Sequence, residues 1–598
     1  MEPRPLLVYD GDCGFCKYWV NYWDRMTQGR VAYEPFQTAA ARYPAIPENA
    51  FKKAVQYITP DGHYASAAEA SFLVLSHAPG KGHWLALYRR FPLYAWFSER
   101  VYEFVSRRRG LFYAISKFLW GPDLRPPRHE MMSWLFLRLF GLIALSAFMS
   151  FGVQAMGLIG SGGITPLHDF VSAVTEQIGG ARWLLAPMVF WWNDSDAAIQ
   201  AVCWAGAAFS VLLTLGALPR LSLFMIYALY LSLVYGGQTF MTYQWDIFIV
   251  ETAFAALLLA FVTTPGLWIL RWLLFRFMFL SGCVKLLSMD PNWWNLHALE
   301  YHFLTQPLPT PLAWYAAQMP PGALHVLCGV VFVVEMLLPF LIFAPRRLRF
   351  AAAVGFMGLE IAIFLTGNYN WFNLQTMLLC LPLLDDQALE SLMPRKFFAF
   401  VSAHAPVRQP NIYTRRIVLG ISVLIIFCSL VQTSMRFGER PPGAFMAINH
   451  MVGPLQIANT YGLFAVMTTA RNEIVVEGSD DGQNWKEYEF KYKPGDLTRR
   501  PPWNIPHQPR LDWQMWFAAL EDPRDLPWFR QFLRRLLKNA PAVTALLAKN
   551  PFPDHPPRFV RAQFYDYTFA TPAEHAKGIW WDRQYLKVWF PIAQLRHD

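Results

Sequence analysis

The chain has 598 residues; 54% are hydrophobic, only 16% are charged, and 25 are Trp. That is too apolar for an ordinary soluble chain of this length, so a membrane protein is expected. The formal net charge of +10 is spread along the chain rather than gathered into a basic array, which argues against nucleic acid as a partner and for the lipid bilayer. The first apolar run is four residues long and is followed by Asp10 and Asp12, so no secretory signal is expected and insertion falls to later segments.

Leu6-Leu7-Val8-Tyr9 reads as a short strand, Asp10-Gly11-Asp12 as a turn, and Lys17 to Met26 as a helix. Cys13 and Cys16 therefore stand at a helix N-terminus, where the dipole and free N–H groups favour a thiolate. Lys17 adds positive charge nearby, and Cys16, one turn on, is placed to resolve a mixed disulfide. A zinc half-site is the competing reading of C-x-x-C, but the next cysteine is Cys203, so neither metal nor cofactor is expected. The candidate catalytic set is Cys13, Cys16 and Asp10. The pattern D-x-x-C-x-x-C resembles the DCC family of thiol-disulfide oxidoreductase-like proteins over about residues 4–125, including the strand and turn from Val55 to Gly62. The resemblance implies an α/β thioredoxin-like domain with an unknown thiol or disulfide redox partner.

Apolar runs near 20 residues predict about nine membrane spans, at 134–157, 197–217, 221–241, 244–263, 266–287, 323–344, 348–367, 370–384 and 415–434. With nine, the clusters at Arg107–Arg109, Arg220, Arg346–Arg349 and Arg395–Arg416 all fall on one side. That side is the cytoplasm, which places the N-terminal domain there and the region after Met435 outside it. Cys203, Cys283, Cys328, Cys380 and Cys428 fall within the spans and read as small apolar residues.

Arg138, Asp246, Glu251, Arg271, Arg276, Lys285, Glu335 and Glu360 are ionisable residues within the spans. Each would cost roughly 2.5–3.5 kcal/mol unpaired, so internal ion pairs are expected, or else a polar pocket around Lys285, Asp246 and Glu251. The segment from Ser281 to Trp294 is similar to one in the vitamin K-dependent carboxylase-like membrane family. That resemblance implies an alternative in which Lys285 is the base of an intramembrane enzyme. Amides and aromatics at Asn368–Gln375 and Trp293–Trp294 mark a rim that binds a partner or anchors helices.

Beyond Gln432 the chain turns soluble in character. Glu473–Gly478 and Trp485–Tyr492 read as paired strands, 513–520 and 526–549 as helices, and Phe559–Phe569 and Tyr585–Phe590 as further strands. A β-sandwich-like domain with a helical insertion is the expected fold. Asn459 to Phe464, Tyr488 to Asp496, Arg510 to Ala519, Asn550 to Phe552 and Pro556 to Ala562 resemble, in that order, signatures of the lipase maturation factor family, over about 131–598. The resemblance implies a multispanning, chaperone-like membrane protein that assists exported clients, lipases among them. Arg510, Asp512, Trp513 and Trp516 are then the candidate partner-binding residues.

Three domains are expected: 1–130 thioredoxin-like, 131–434 an α-helical polytopic membrane bundle, and 435–598 a β-rich extracytoplasmic domain. The fused N-terminal domain suggests a bacterial inner-membrane protein whose C-terminal domain is periplasmic. The function expected is maturation of exported proteins with an attached thiol-disulfide site. A redox-sensing scaffold, in which Cys13 reacts without turnover, is the further alternative.

Overall fold

The computed structural model describes residues 4–405 and 410–595. The chain forms two compact units, residues 1–128 with 343–351, and residues 129–342 with 352–598.

The first unit is built on a four-stranded mixed sheet. Its strands are β1 (Leu6–Tyr9), β2 (Ala32–Pro35), β3 (Gln56–Ile58) and β4 (Tyr64–Ser66), in the order β2-β1-β3-β4. β1 runs parallel to β2 and antiparallel to β3. Alternation along β1 sends Leu7 to one core with Val20, Tyr57 and Val74, and Leu6 and Val8 to another with Phe36 and Phe51. Helices Pro92–Ser106 and Arg109–Trp120 follow, and they leave Leu93, Trp96, Phe97, Phe104 and Phe118 exposed.

The second unit holds the membrane helices apart from residues 343–351. Eight helices among the described residues are long and apolar enough to cross a bilayer: Glu130–Gly152, Asp196–Leu215, Pro219–Gly236, Gln244–Phe261, Thr263–Leu287, Pro321–Phe343, Arg346–Thr366 and Ile412–Arg436. The apolar stretch expected at 370–384 forms a shorter helix, Phe372–Leu383. It starts beside Asn370, whose Nδ2 donates to Gln508 Oε1 (2.7 Å), and ends at Pro382, whose carbonyl accepts from Arg271 Nε (2.9 Å). The first helix touches the same two ends, because Ser150 Oγ accepts from Gln508 N and Met132 N donates to Asp386 Oδ1. Pro321–Phe343 changes from α to a π-helical turn at Val333–Leu337, which carries Glu335.

The C-terminal region of this unit holds a four-stranded antiparallel sheet. It contains β5 (Arg471–Ser479), β6 (Lys486–Glu487), β9 (Phe559–Phe569) and β10 (Trp581–Ala593), in the order β10-β9-β5-β6. The separate pair β7 (Glu489–Phe490) and β8 (Leu547–Lys549) stands beside it. The alternating run Trp485–Tyr492 is thus split between two sheets, because Tyr488 turns inward to bond Val476 O and pack on Phe552. Helices Arg510–Ala518 and Pro527–Leu537 form the insertion, and the helix expected to reach 549 ends early and gives way to β8. Helices cover the larger sheet, with Phe529 set against Trp589.

Candidate functional site

Helix Gly14–Thr27 begins directly after Cys13, whose extended backbone caps it. The Cys13 Sγ accepts the Cys16 backbone N–H at 3.2 Å, using a donor that a helix N-terminus leaves free. The Cys16 thiol also donates to Cys13, and together with the backbone bond and Arg109 this outweighs burial and lowers the Cys13 pKa to about 6. Cys16, buried and donating to Cys13, is pushed far upward. One thiol is therefore primed as an anion and the other kept protonated. Asp10 sits 3.4 Å from Arg109 Nη1 and accepts from Asp12 N and Gln37 Nε2. Arg109 also donates to the carbonyls of Lys52 and Lys53, which fixes its position beside the thiols. Asp10 thus holds Arg109 and the turn beside the thiols. Next to Cys16 lies a cavity of about 450 Å³, lined by Trp19, Phe72, Val101, Tyr102 and Arg109 among others.

Inside the second unit Asp246, Glu251 and Lys285 are each paired separately, and not as one pocket. Asp246 is buried and takes both Arg510 nitrogens, one at 2.7 Å, together with the Tyr230 hydroxyl at 2.8 Å. Glu251 pairs with Arg276 and accepts from Tyr461 (2.7 Å) and Asn459 Nδ2 (2.9 Å). Lys285 is separate: its ammonium donates to both Glu335 oxygens (2.9 and 2.7 Å) and to Ser281 O (3.0 Å). Lys285 is thus tied to Glu335 and Ser281, and not to Asp246 or Glu251. Lys285, Glu335, Glu360, His302 and Asn373 line an otherwise mainly apolar cavity of about 660 Å³.

The residues expected to bind a partner are mostly internal. Arg510, Asp512 and Trp513 are buried. Asp512 accepts the backbone N–H groups of Tyr492 (2.7 Å) and Lys493 (2.9 Å). Trp513 packs on Trp245 and Tyr369, and the half-buried Trp516 donates to Thr305 O. Aromatic and charged residues in dense motifs serve a domain's own anchorage as readily as a partner's surface. The rim at Asn368–Gln375 likewise binds the chain itself, Asn368 donating to Pro502 O (2.9 Å).

Two further features belong to the second unit. β10 lies at the sheet edge and exposes Tyr585, Leu586, Val588 and Ile592. His297, Glu300 and His325 converge: His325 Nε2 lies 2.6 Å from Glu300 Oε1 and 3.1 Å from His297 Nδ1, which is itself 3.0 Å from the same oxygen. The spacing of His297 and Glu300 on one helical turn was a readable signal; the third member, 28 residues on, was not.

Residues 7–114 match the DCC1-like thiol-disulfide oxidoreductase family, 131–391 the lipase maturation factor transmembrane domain, and 457–591 the lipase maturation factor C-terminal domain. Lipase maturation factor 2 of Homo sapiens is 35% identical, the alignment covering 77% of this chain and 82% of the relative. Lipase maturation factor 1 of Mus musculus is 30% identical, over 78% of this chain and 88% of the relative. No solved structure matches. The chain is thus a multi-pass integral membrane protein that belongs to the lipase maturation factor family and carries a DCC1-like thiol-disulfide oxidoreductase domain in front.

Proposed function

We propose that this protein matures exported client proteins, lipases first among them as its relatives' names suggest, by holding them on its C-terminal domain at the membrane. The carrying observation is β10, an edge strand with Tyr585, Leu586, Val588 and Ile592 exposed on a domain anchored by buried ion pairs. An apolar patch of this kind suits a client whose own apolar surface is not yet covered. Register shifts along β10 and the missing N–H of Pro591 interrupt its hydrogen-bonding edge, so contact through side chains is favoured over continuous strand pairing. Co-expression of a secreted lipase with the Val588→Asp/Ile592→Asp variant tests this. Loss of the co-purified lipase with unchanged thermal stability is expected; unchanged co-purification overturns the assignment.

The domain division in this reading is 1–130, 131–434 and 435–598, with nine crossings. The ninth is the short helix Phe372–Leu383, and its support is that it touches the C-terminal region at one end and the start of the first helix at the other. Shielded by the bundle, a helix of about 18 Å need not match the roughly 30 Å hydrocarbon core. The basic loops then share the cytoplasmic side with the thiols, and the C-terminal domain lies opposite.

On the cytoplasmic side Cys13 and Cys16 exchange electrons with a partner disulfide. The Cys13 thiolate attacks one partner sulfur, its S–S bond breaks, and the other sulfur leaves as a thiolate. Cys16 then loses its proton and attacks Cys13, releasing the second partner thiolate. The partner is reduced to a dithiol and the protein is oxidised to the Cys13–Cys16 disulfide. In Cys16→Ala the mixed disulfide should persist and be seen on non-reducing gels, and it should vanish in Cys13→Ala; its absence in Cys16→Ala overturns the redox assignment.

A further inference from the structure

We propose that His297, Glu300 and His325 form a zinc site that clips the short helix Ala298–Thr305 to the start of the sixth long apolar helix. Neither the thiol chemistry nor the client surface uses these residues. They come from three places: the position just before helix Ala298–Thr305, the first turn of that helix, and the first turns of Pro321–Phe332.

The argument is geometric. His297 Nδ1, His325 Nε2 and Glu300 Oε1 make a triangle with sides of 2.6, 3.0 and 3.1 Å. It is small enough for all three atoms to sit at the about 2.0–2.2 Å that zinc keeps to nitrogen and oxygen, with the ion lifted off the plane. The two rings stand nearly perpendicular, at 81°, with centroids 4.4 Å apart, so both point an edge nitrogen at the same spot. With at least one ring nitrogen protonated the three groups hydrogen-bond to one another; with both nitrogens bare, three lone pairs converge on one spot. A cation uses all three lone pairs at once.

A second observation is the backbone just before His297. Leu296 has φ +63°, in the left-handed region that bulky residues rarely adopt. Such a conformation persists where surrounding structure imposes it, and it is found often at ligand-holding sites. Here it turns the chain so that His297 meets His325.

Two imidazoles and one carboxylate form a nitrogen-rich donor set that suits zinc better than magnesium or calcium, which take oxygen. The three side chains are 28–43% exposed, so a fourth coordination position is open to solvent. Three protein ligands with one open position is also the pattern of sites that accept a water or an external donor.

The test uses the full-length protein, purified in detergent without a histidine tag and carrying Cys13→Ser/Cys16→Ser, so that the thiols cannot take up metal. After stripping with chelator, titration with zinc chloride should load one ion per chain with micromolar or tighter affinity. The His297→Gln/His325→Gln variant should lose at least tenfold in affinity while keeping its elution profile. Cobalt(II) should give the visible absorption of a low-symmetry site in the parent and none in the variant. A merely hydrogen-bonded trio would lower the melting temperature on substitution but give no zinc-dependent rise in the parent. No stoichiometric zinc, equal binding by the variant, or loading by iron(II) in preference to zinc would each overturn the assignment.

Discussion

The thiol site and the ion-paired interior of the second unit use the same ingredients to opposite ends. At Cys13 a partly exposed anion is held by one backbone N–H, a neighbouring thiol and Arg109. Its partners lower its proton affinity yet leave the sulfur reachable. At Asp246 the carboxylate is buried, and Arg510 and Tyr230 take up its oxygens. Such a pair contributes little net stability relative to apolar packing, but leaving either member alone is costly. Reactivity resides where a charge is stabilised and accessible; anchorage resides where it is stabilised and sealed.

The largest expected effect comes from unsealing the anchor. Arg510→Ala strands the Asp246 carboxylate and should cost about 3–5 kcal/mol. The measurement is the yield of monodisperse protein after solubilisation, which should fall severely; wild-type yield would mean that water reaches the pair. Asp512→Ala is next, since it frees the N–H groups of Tyr492 and Lys493. A loss of about 1–3 kcal/mol in thermal unfolding is expected.

At the thiols the effect appears as reactivity. With its pKa lowered to about 6, Cys13 is a thiolate above that pH and a thiol below it. Alkylation rates against pH should therefore rise through a midpoint near 6. Cys16→Ala removes the largest of the causes that lower the pKa and should move the midpoint upward, whereas Arg109→Gln, a smaller cause, should move it less. An unmoved midpoint in Cys16→Ala would show that the backbone N–H alone sets the acidity. The smallest effect on stability, within about 0.5 kcal/mol, is expected for Val588→Asp on the exposed strand. Its consequence should be confined to client binding.

How much was legible in advance differs between these regions for the same reason. The Cys13–Cys16 cap is local, strand, turn and helix start being adjacent in the chain, so short-range rules describe it. Arg109, by contrast, reaches it from a distant helix and was not legible. The apolar runs were equally readable, because transfer into hydrocarbon depends on composition and length; only 370–384 came out short, and the bundle that shields it cannot be inferred from its own residues. That Lys285, Asp246 and Glu251 needed partners followed from the cost of bare charge in the membrane.

Which partners they took did not follow. Arg510 meets Asp246 across 264 positions and Lys285 meets Glu335 across 50. The polar pocket expected around three residues resolved into three separate pairings, and the intended partner surface turned inward. His325 reaches Glu300 only because a left-handed turn at Leu296 and a proline-rich loop bring two helices together. The sequence by itself determined a thiol pair at a helix N-terminus, a membrane bundle and the demand that buried charge be neutralised, since those depend on near neighbours and on solvent. Tertiary structure alone decided which charges meet and which motif residues lie inside, because pairing over hundreds of positions is set by packing the whole bundle at once.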